Sequence, residues 1–205
     1  MPRIASEAKR EQLLDIASKR FLARGFAAVS VDEIVAAANQ SKTNVYSYFG
    51  GKEGLFLATV DRLLADILFP LEGNDFASLP IEQGLYELAN AILSVVLGKS
   101  ALALHRLIVA EAASFPEIAR RWFEAGPERA YGFCADFIAA HQKGGRLRTA
   151  DTRRAAVFLH DMLIGDYERR MLTGVRGTPK PRERDALILS AIDLFLNGYG
   201  GESSQ

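Results

Sequence analysis

The chain has 205 residues, a mass of 22.5 kDa and 49% apolar residues, enough to bury one or two cores and to exclude disordered and fibrous classes. Its 25 basic and 25 acidic residues cancel, so no net field marks the whole chain for nucleic acid or a membrane, and any such role must be local. The single cysteine, Cys134, cannot close an intrachain disulfide, the start MPRIASEAKREQLL lacks the apolar core of a signal peptide, and the longest apolar stretch, Ala91 to Leu104, is broken by Ser94 and Lys99. The expectation is a soluble, cytoplasmic protein with no membrane partner.

Charge is unevenly spread: residues 1–52 hold 8 Lys/Arg against 5 Asp/Glu, and residues 53–205 hold 17 against 20. Along the chain, apolar residues recur at helical spacing. Leu14, Ala17 and Phe21 form one stripe, then Phe56, Val60, Leu63 and Ile67, then Leu85, Leu88, Ile92 and Val96. Residues 101–113, ALALHRLIVAEAA, are apolar on nearly every face and predict a helix surrounded by others. Ile118 and Trp122, then Phe158, Met162 and Leu163, then Ile188, Ala191, Ile192 and Phe195 continue the pattern, and no alternating β-branched run appears. Breakers at Gly25, Asn39, Gly50-Gly51, Pro70 to Pro80, Gly98, Pro116, Gly126-Pro127, Gly144-Gly145 and Gly174 to Pro181 divide the chain into about nine or ten helices. The fold class is all-α, and neither long loop, 70–80 or 174–181, reads as a free linker.

Between Gly25 and Gly51 lie two helices too short to be stable alone. Ser30-Val31-Asp32-Glu33 is a capping box, flanked by Val29 and Ile34 at staple positions, which starts a helix at Ser30. Asn39 suits a left-handed close, and Ser41 suits the cap of a second helix. In that helix Val45 and Phe49 share a face, leaving Lys42, Thr43, Asn44, Tyr46 and Ser47 on others. Such a surface fits a major groove: Asn pairs with two edges of adenine, Thr offers a hydroxyl and a methyl, and Lys and Tyr reach phosphates. From spacing alone two readings stand, helix-turn-helix recognition of DNA or an ordinary capped hairpin with a solvated face.

The stretches LLDIASKRFLARGFAAVSVDEIVAAA and QSKTNVYSYFGGKEGLF resemble the TetR/AcrR family of transcriptional regulators over about residues 10–57. The shared positions are Phe21, Gly25, Phe26, Ser30, Val31, Ile34, Ser41-Lys42, Val45-Tyr46, Tyr48-Phe49 and Lys52-Glu53. The resemblance implies a three-helix DNA-binding head over 1–52, on a helical body over 53–205 that dimerises and holds a small-molecule effector. Effector binding would release double-stranded operator DNA. By position it implies base-edge or adjacent contacts from Lys42, Thr43 and Asn44, and phosphate contacts from Ser30, Tyr46, Tyr48 and Lys52. A core aromatic beside Phe49 is the alternative for Tyr48. Arg3, Lys9 and Arg10 form a basic arm, for which a disordered terminus is the alternative. The chain departs from the family where Asn39-Gln40 replaces the usual Gly-Val and where Thr43 and Asn44 replace small residues. Gln40 therefore lacks the staple to Val45; either the helix loosens or an additional amide reaches the groove.

In the body, Leu63, Ile67, Tyr86, Trp122, Phe123, Tyr131, Phe137 and Phe158, with His105 and His160 as polar handles, are candidates for an apolar effector pocket, or plain packing residues. No GxSxG, phosphate loop or HExxH occurs, and none of His105, His141 and His160 follows a Glu by three residues. No cofactor, metal or enzymatic activity is expected, and Cys134 reads as a small core residue. A homodimer is expected through the last two helices, about 151–173 and 183–198. The latter carries more apolar width (Leu187, Ile188, Ala191, Ile192, Phe195 and Leu196) than one core stripe needs. The competing reading is an all-helical ligand-binding or enzymatic protein without DNA binding.

Overall fold

A computed structural model describes the backbone of residues 2–68 and 74–199, and the side chains of 6–67 and 74–198. Residues 69–73 of the expected long loop, and the side chain of Arg3, lie outside the described residues. Among the described residues are ten α-helices and a 3-10 turn at Phe76–Ser78, with no strand. They pack into two compact units, one of residues 1–67 with 103–123, the other of 68–102 with 124–205. The first unit runs past residue 52 to take in the fourth helix, whose apolar stripe is buried, together with residues 103–123.

The first unit contains α1 (Pro2–Arg24), α2 (Val31–Ala38), α3 (Lys42–Phe49) and α4 (Lys52–Leu68), with the latter part of α6 (Lys99–Glu111) and most of α7 (Pro116–Ala125). The periodic stripes bury as their spacing requires: Leu14, Ala17 and Phe21 from α1 and Phe56 and Val60 from α4 are almost wholly enclosed. Phe21, Phe26, Phe56 and Phe115 form a ring cluster with centroid separations between 4.6 and 6.1 Å. Gly25 (φ +75°) closes α1 in the left-handed region and brings the following backbone close to Glu111. There the Phe26 N–H donates to Glu111 Oε1 at 2.8 Å. Arg62 ties α4 to α1 by pairing with Glu11 at 3.3 Å and with Asp15, while Arg121 of α7 reaches Asp61 of α4 at 2.6 Å.

The second unit holds α5 (Ile81–Val96), α8 (Pro127–Lys143), α9 (Thr152–Leu172) and α10 (Pro181–Tyr199), with the first turn of α6. Its core joins Leu88 and Ile92 of α5, Phe137 and Ile138 of α8, Leu159 and Leu163 of α9, and Ile188 and Phe195 of α10. Start signals act locally: Pro127 sits in the first turn of α8, and the Asp151 carboxylate caps α9 by accepting the Arg154 N–H at 2.9 Å. The Tyr86 hydroxyl donates to Asp185 at 2.8 Å, holding α5 to α10. Cys134 is a core residue as expected, and burial pushes its thiol up to about 12.

Two sequence expectations need correction. The stretch 101–113 is not enclosed on every face: α6 ends at Glu111, and Arg106, Val109 and Ala110 are exposed, one i, i+3, i+4 stripe turned to solvent. On α10 the residues named as surplus apolar width all serve the core. Ile188, Ala191, Ile192 and Phe195 are buried in it, Leu187 and Leu196 pack against it, and the large apolar residues left exposed are Leu189 and Leu194. Of the basic arm, the described backbone is helical from Pro2, and Arg10 pairs with Glu7 and Glu11 while its guanidinium lies 5.5 Å from the Phe49 ring centre.

Candidate nucleic-acid interface

The hairpin of α2 and α3 is built by local chemistry. Ser30 Oγ accepts the Glu33 N–H at 3.2 Å and Glu33 Oε2 accepts the Ser30 N–H at 3.2 Å, completing the capping box. The Ser30 N–H and the Arg24 guanidinium hold the Glu33 carboxyl below its usual range. Val29 and Ile34, the staple pair, are both buried. Asn39 closes α2 at φ 50°, ψ 46°, its N–H bonded back to Ala36 and Val35 carbonyls. Ser41 occupies the N-cap of α3 with extended backbone but makes no side-chain cap bond.

Within α3, Val45 is fully buried and Phe49 half-buried, so α3 is anchored on one side. Lys42, Thr43, Tyr46 and Ser47 are exposed and Asn44 is half-buried, which brings the expected groove-facing residues onto one short helix. Lys42 Nζ lies 2.8 Å from Asp32 Oδ1, and that hydrogen bond raises the lysine's pKa. Tyr46 is 60% exposed. Tyr48 is half-buried, its ring edge-on to Phe49 and its hydroxyl accepting from Ser6 Oγ at 3.2 Å, so it serves packing at least in part. Lys52, at the start of α4, holds its ammonium 4.2 Å from the Phe26 ring centre.

The open question at Gln40 is answered by three hydrogen bonds of 2.9 Å. Its Nε2 donates to the Lys9 carbonyl and to Gln12 Oε1, and its Oε1 accepts from Asn44 Nδ2. The helix is braced against α1 rather than loosened. No local pattern signals this, because Lys9 is 31 residues away.

The ten pocket candidates divide between the units. Leu63, Ile67, His105, Trp122 and Phe123 belong to the first, where the His105 ring lies 4.4 Å from that of Trp122. Tyr86, Tyr131, Phe137, Phe158 and His160 belong to the second. Phe137 is core, against which Gly84 packs so closely that a Cβ there would lie 2.5 Å from its ring. His160 is buried, 4.8 Å from the Tyr131 ring, with Nδ1 3.1 Å from Asp161 and Nε2 lacking a partner among the described residues. Phe158 instead stands 51% exposed and, with Asp161, Met162, Leu194, Phe195 and Gly198, lines an open groove of about 460 Å³ on α9 and α10. Among the described residues no group of three His, Cys, Asp or Glu is placed to hold a metal, and no single helix is long and apolar enough to cross a membrane.

A short capped helix exposing an amide, a hydroxyl, a phenol and a lysine, as the second helix of a helix-turn-helix hairpin, defines the class of helix-turn-helix DNA-binding proteins. Comparison with known proteins agrees. A family model described as "Bacterial regulatory proteins, tetR family" matches residues 13–59, and one described as "AefR-like transcriptional repressor, C-terminal domain" matches residues 83–201. The chain belongs to the TetR family. It is 36% identical over 77 residues to the HTH-type transcriptional regulator RutR of Escherichia coli K12, a match covering 37% of the chain and 36% of that relative's length. Its fold is similar to the crystal structure of a TetR-family regulator from Mesorhizobium loti (TM-score 0.80, 28% identity, covering 95% of this chain and 98% of that one). It is also similar to the flavonoid-responsive regulator FrrA (TM-score 0.82, 25% identity, covering 96% and 100%).

Proposed function

We propose that this protein is a cytoplasmic, homodimeric transcriptional repressor without enzymatic activity, which binds a near-palindromic operator and is released from it by a small apolar effector. The observation that carries the reading is α3: Val45 anchors it while Lys42, Thr43, Tyr46 and Ser47 stand exposed beside Asn44, on a hairpin closed by a capping box and a left-handed Asn39. Asn44 and Thr43 read base edges. Ser30, Lys42, Tyr46, Tyr48 and Lys52 contact phosphates or flank the reading residues, and a phosphate displaces Asp32 from Lys42. A head with one such helix reads only a half-site, so two copies with heads about 34–36 Å apart meet successive major grooves. The exposed Phe158, Met162 and Leu194 of α9 and α10 form the dimer face. The effector is apolar because the helical body offers few polar handles, of which His160 Nε2, lacking a partner among the described residues and beside Tyr131, is one. FrrA, named as flavonoid-responsive, supports a small-molecule effector.

Selection of bound sequences from a random duplex pool, followed by titration across salt, tests this reading. The expected result is an enriched near-palindrome whose affinity falls linearly in log–log salt coordinates. Failure to enrich any sequence, with no retention on duplex DNA at low salt, would overturn it.

A further inference from the structure

The N-terminus of α3 lacks both devices that normally fix such an end: Ser41 makes no side-chain cap bond, and the position before it, usually apolar and packed on Val45, is an amide. What holds it is a chain of amides. Gln40 Nε2 lies 2.9 Å from the Lys9 main-chain oxygen, 2.9 Å from Gln12 Oε1, and Gln40 Oε1 lies 2.9 Å from Asn44 Nδ2.

The polarity of this chain follows from one atom. A main-chain carbonyl only accepts, so the Gln40 atom facing Lys9 must be the nitrogen, and the other end of that amide must be the oxygen. The Asn44 atom facing Gln40 Oε1 must then be Nδ2, and Asn44 Oδ1 is turned away from Gln40. One N–H of Asn44 is spent on Gln40, leaving Oδ1 and the second N–H. That acceptor-plus-donor pair matches the adenine edge in the major groove, where N6 donates and N7 accepts. It mismatches guanine, whose edge there has acceptors only.

We propose that Gln40 is a specificity-determining positioning residue: by way of the Lys9 carbonyl it sets the amide of Asn44 for adenine, one base pair per half-site. The proposal rests on the DNA-reading role given to Asn44 above. Gln12, the exposed outer amide, follows the polarity without setting it.

The test selects sequences from a random duplex pool with the parent dimer and with Gln40→Met, Gln40→Glu, Gln12→Ala and Asn44→Ala, and measures salt slope and thermal melting for each. Gln40→Met keeps length and restores an apolar neighbour for Val45, so it folds, but it removes donor and acceptor alike. It is expected to lower adenine preference at that base pair by about 2- to 12-fold, the worth of one net hydrogen bond, with the salt slope unchanged. Gln40→Glu sets a carboxylate against the Lys9 carbonyl and Gln12 Oε1, and this repulsion drives the side chain off α1 and takes the acceptor away from Asn44, so it should lose the preference as well. Gln12→Ala should retain it, and Gln40→Met should change nothing further in an Asn44→Ala background. If Gln40→Met and Gln40→Glu keep the parent's preference while Asn44→Ala loses it, or if they weaken all sequences equally, Gln40 is only a brace and the proposal is overturned. If Asn44→Ala itself keeps the preference, Asn44 does not read DNA, and the reading beneath the proposal falls with it.

Discussion

Lys52 and His141 show how far single side chains can be read as energies. Lys52 sits over the Phe26 ring at 4.2 Å, so Lys52→Ala loses a cation–π contact and, on the proposed DNA-binding role, a phosphate contact as well. The ring contact costs about 0.5–1 kcal/mol of stability, seen as a small drop in melting temperature. The phosphate loss flattens log K against log salt by about 0.9 per contact, or roughly 1.8 per dimer, and weakens all duplexes alike. An unchanged salt slope would remove Lys52 from the interface. His141 is buried beside the Phe137 ring at 4.4 Å, with Nε2 lacking a partner among the described residues. Burial, and secondarily Arg146, lower its pKa from 6.5. A lowered folded-state pKa means the unfolded chain takes the proton first as pH falls. The stabilising difference is therefore intact above 6.5 and is lost below it, with a slope of at most about 1.4 kcal/mol per pH unit. Urea midpoints measured between pH 7 and pH 5 should fall for the parent and fall less for His141→Gln.

At the scale of elements, contacts between helices are tight enough for a single methyl to decide the sign of a stability change. Gly84 of α5 faces α8 and the 3-10 turn; a Cβ there would lie 2.5 Å from the Phe137 ring and 2.6 Å from the Phe76 carbonyl oxygen. Alanine gains roughly 1 kcal/mol of helix propensity, but overpacking costs about 1–3 kcal/mol, and a main-chain oxygen yields little. Gly84→Ala should lower the melting temperature. Gly132 of α8 has nothing within 4 Å of an added Cβ, so Gly132→Ala should raise it by the propensity gain alone. If both variants shift the melting temperature in the same direction, the close packing of α5 on Phe137 is wrong. The same scale explains why the α2–α3 hairpin is legible from its residues. Capping box, staple and left-handed Asn39 all act within a few positions, and all three occur where their spacing places them. The brace at Gln40 reaches across 31 positions to α1, and no local pattern encodes it.

For the whole molecule, the groove on α9 and α10 is the surface through which the proposed dimer would form. Phe158 and Met162 stand one helical turn apart on α9, and Leu194 and Gly198 likewise on α10, so a second copy would bury an apolar strip that is otherwise open to water. Leu194, 65% exposed, can accept Asp without strain in a monomer, whereas a dimer would bury that charge unpaired. Leu194→Asp should melt near the parent's temperature at low concentration, run as a monomer in light scattering, and bind operator with about half the parent's salt slope, because one head remains engaged. A dimer of unchanged stability would place the two-fold contact elsewhere. Sequence alone determined that the chain is all-α, which residues break its helices, and which short hairpin presents Lys42, Thr43, Asn44 and Tyr46. These depend on 3.6-residue periodicity and on caps that act over three or four positions. Only tertiary structure decided that Val109 of α6 faces outward, that Leu189 and Leu194 rather than Leu187 and Leu196 lie outside the core, that Lys42 meets Asp32 and that Gln40 meets Lys9. The reason is physical: which face of a helix is covered, and which distant donor reaches which acceptor, depends on how helices pack against each other, and that is carried by no single stretch of residues.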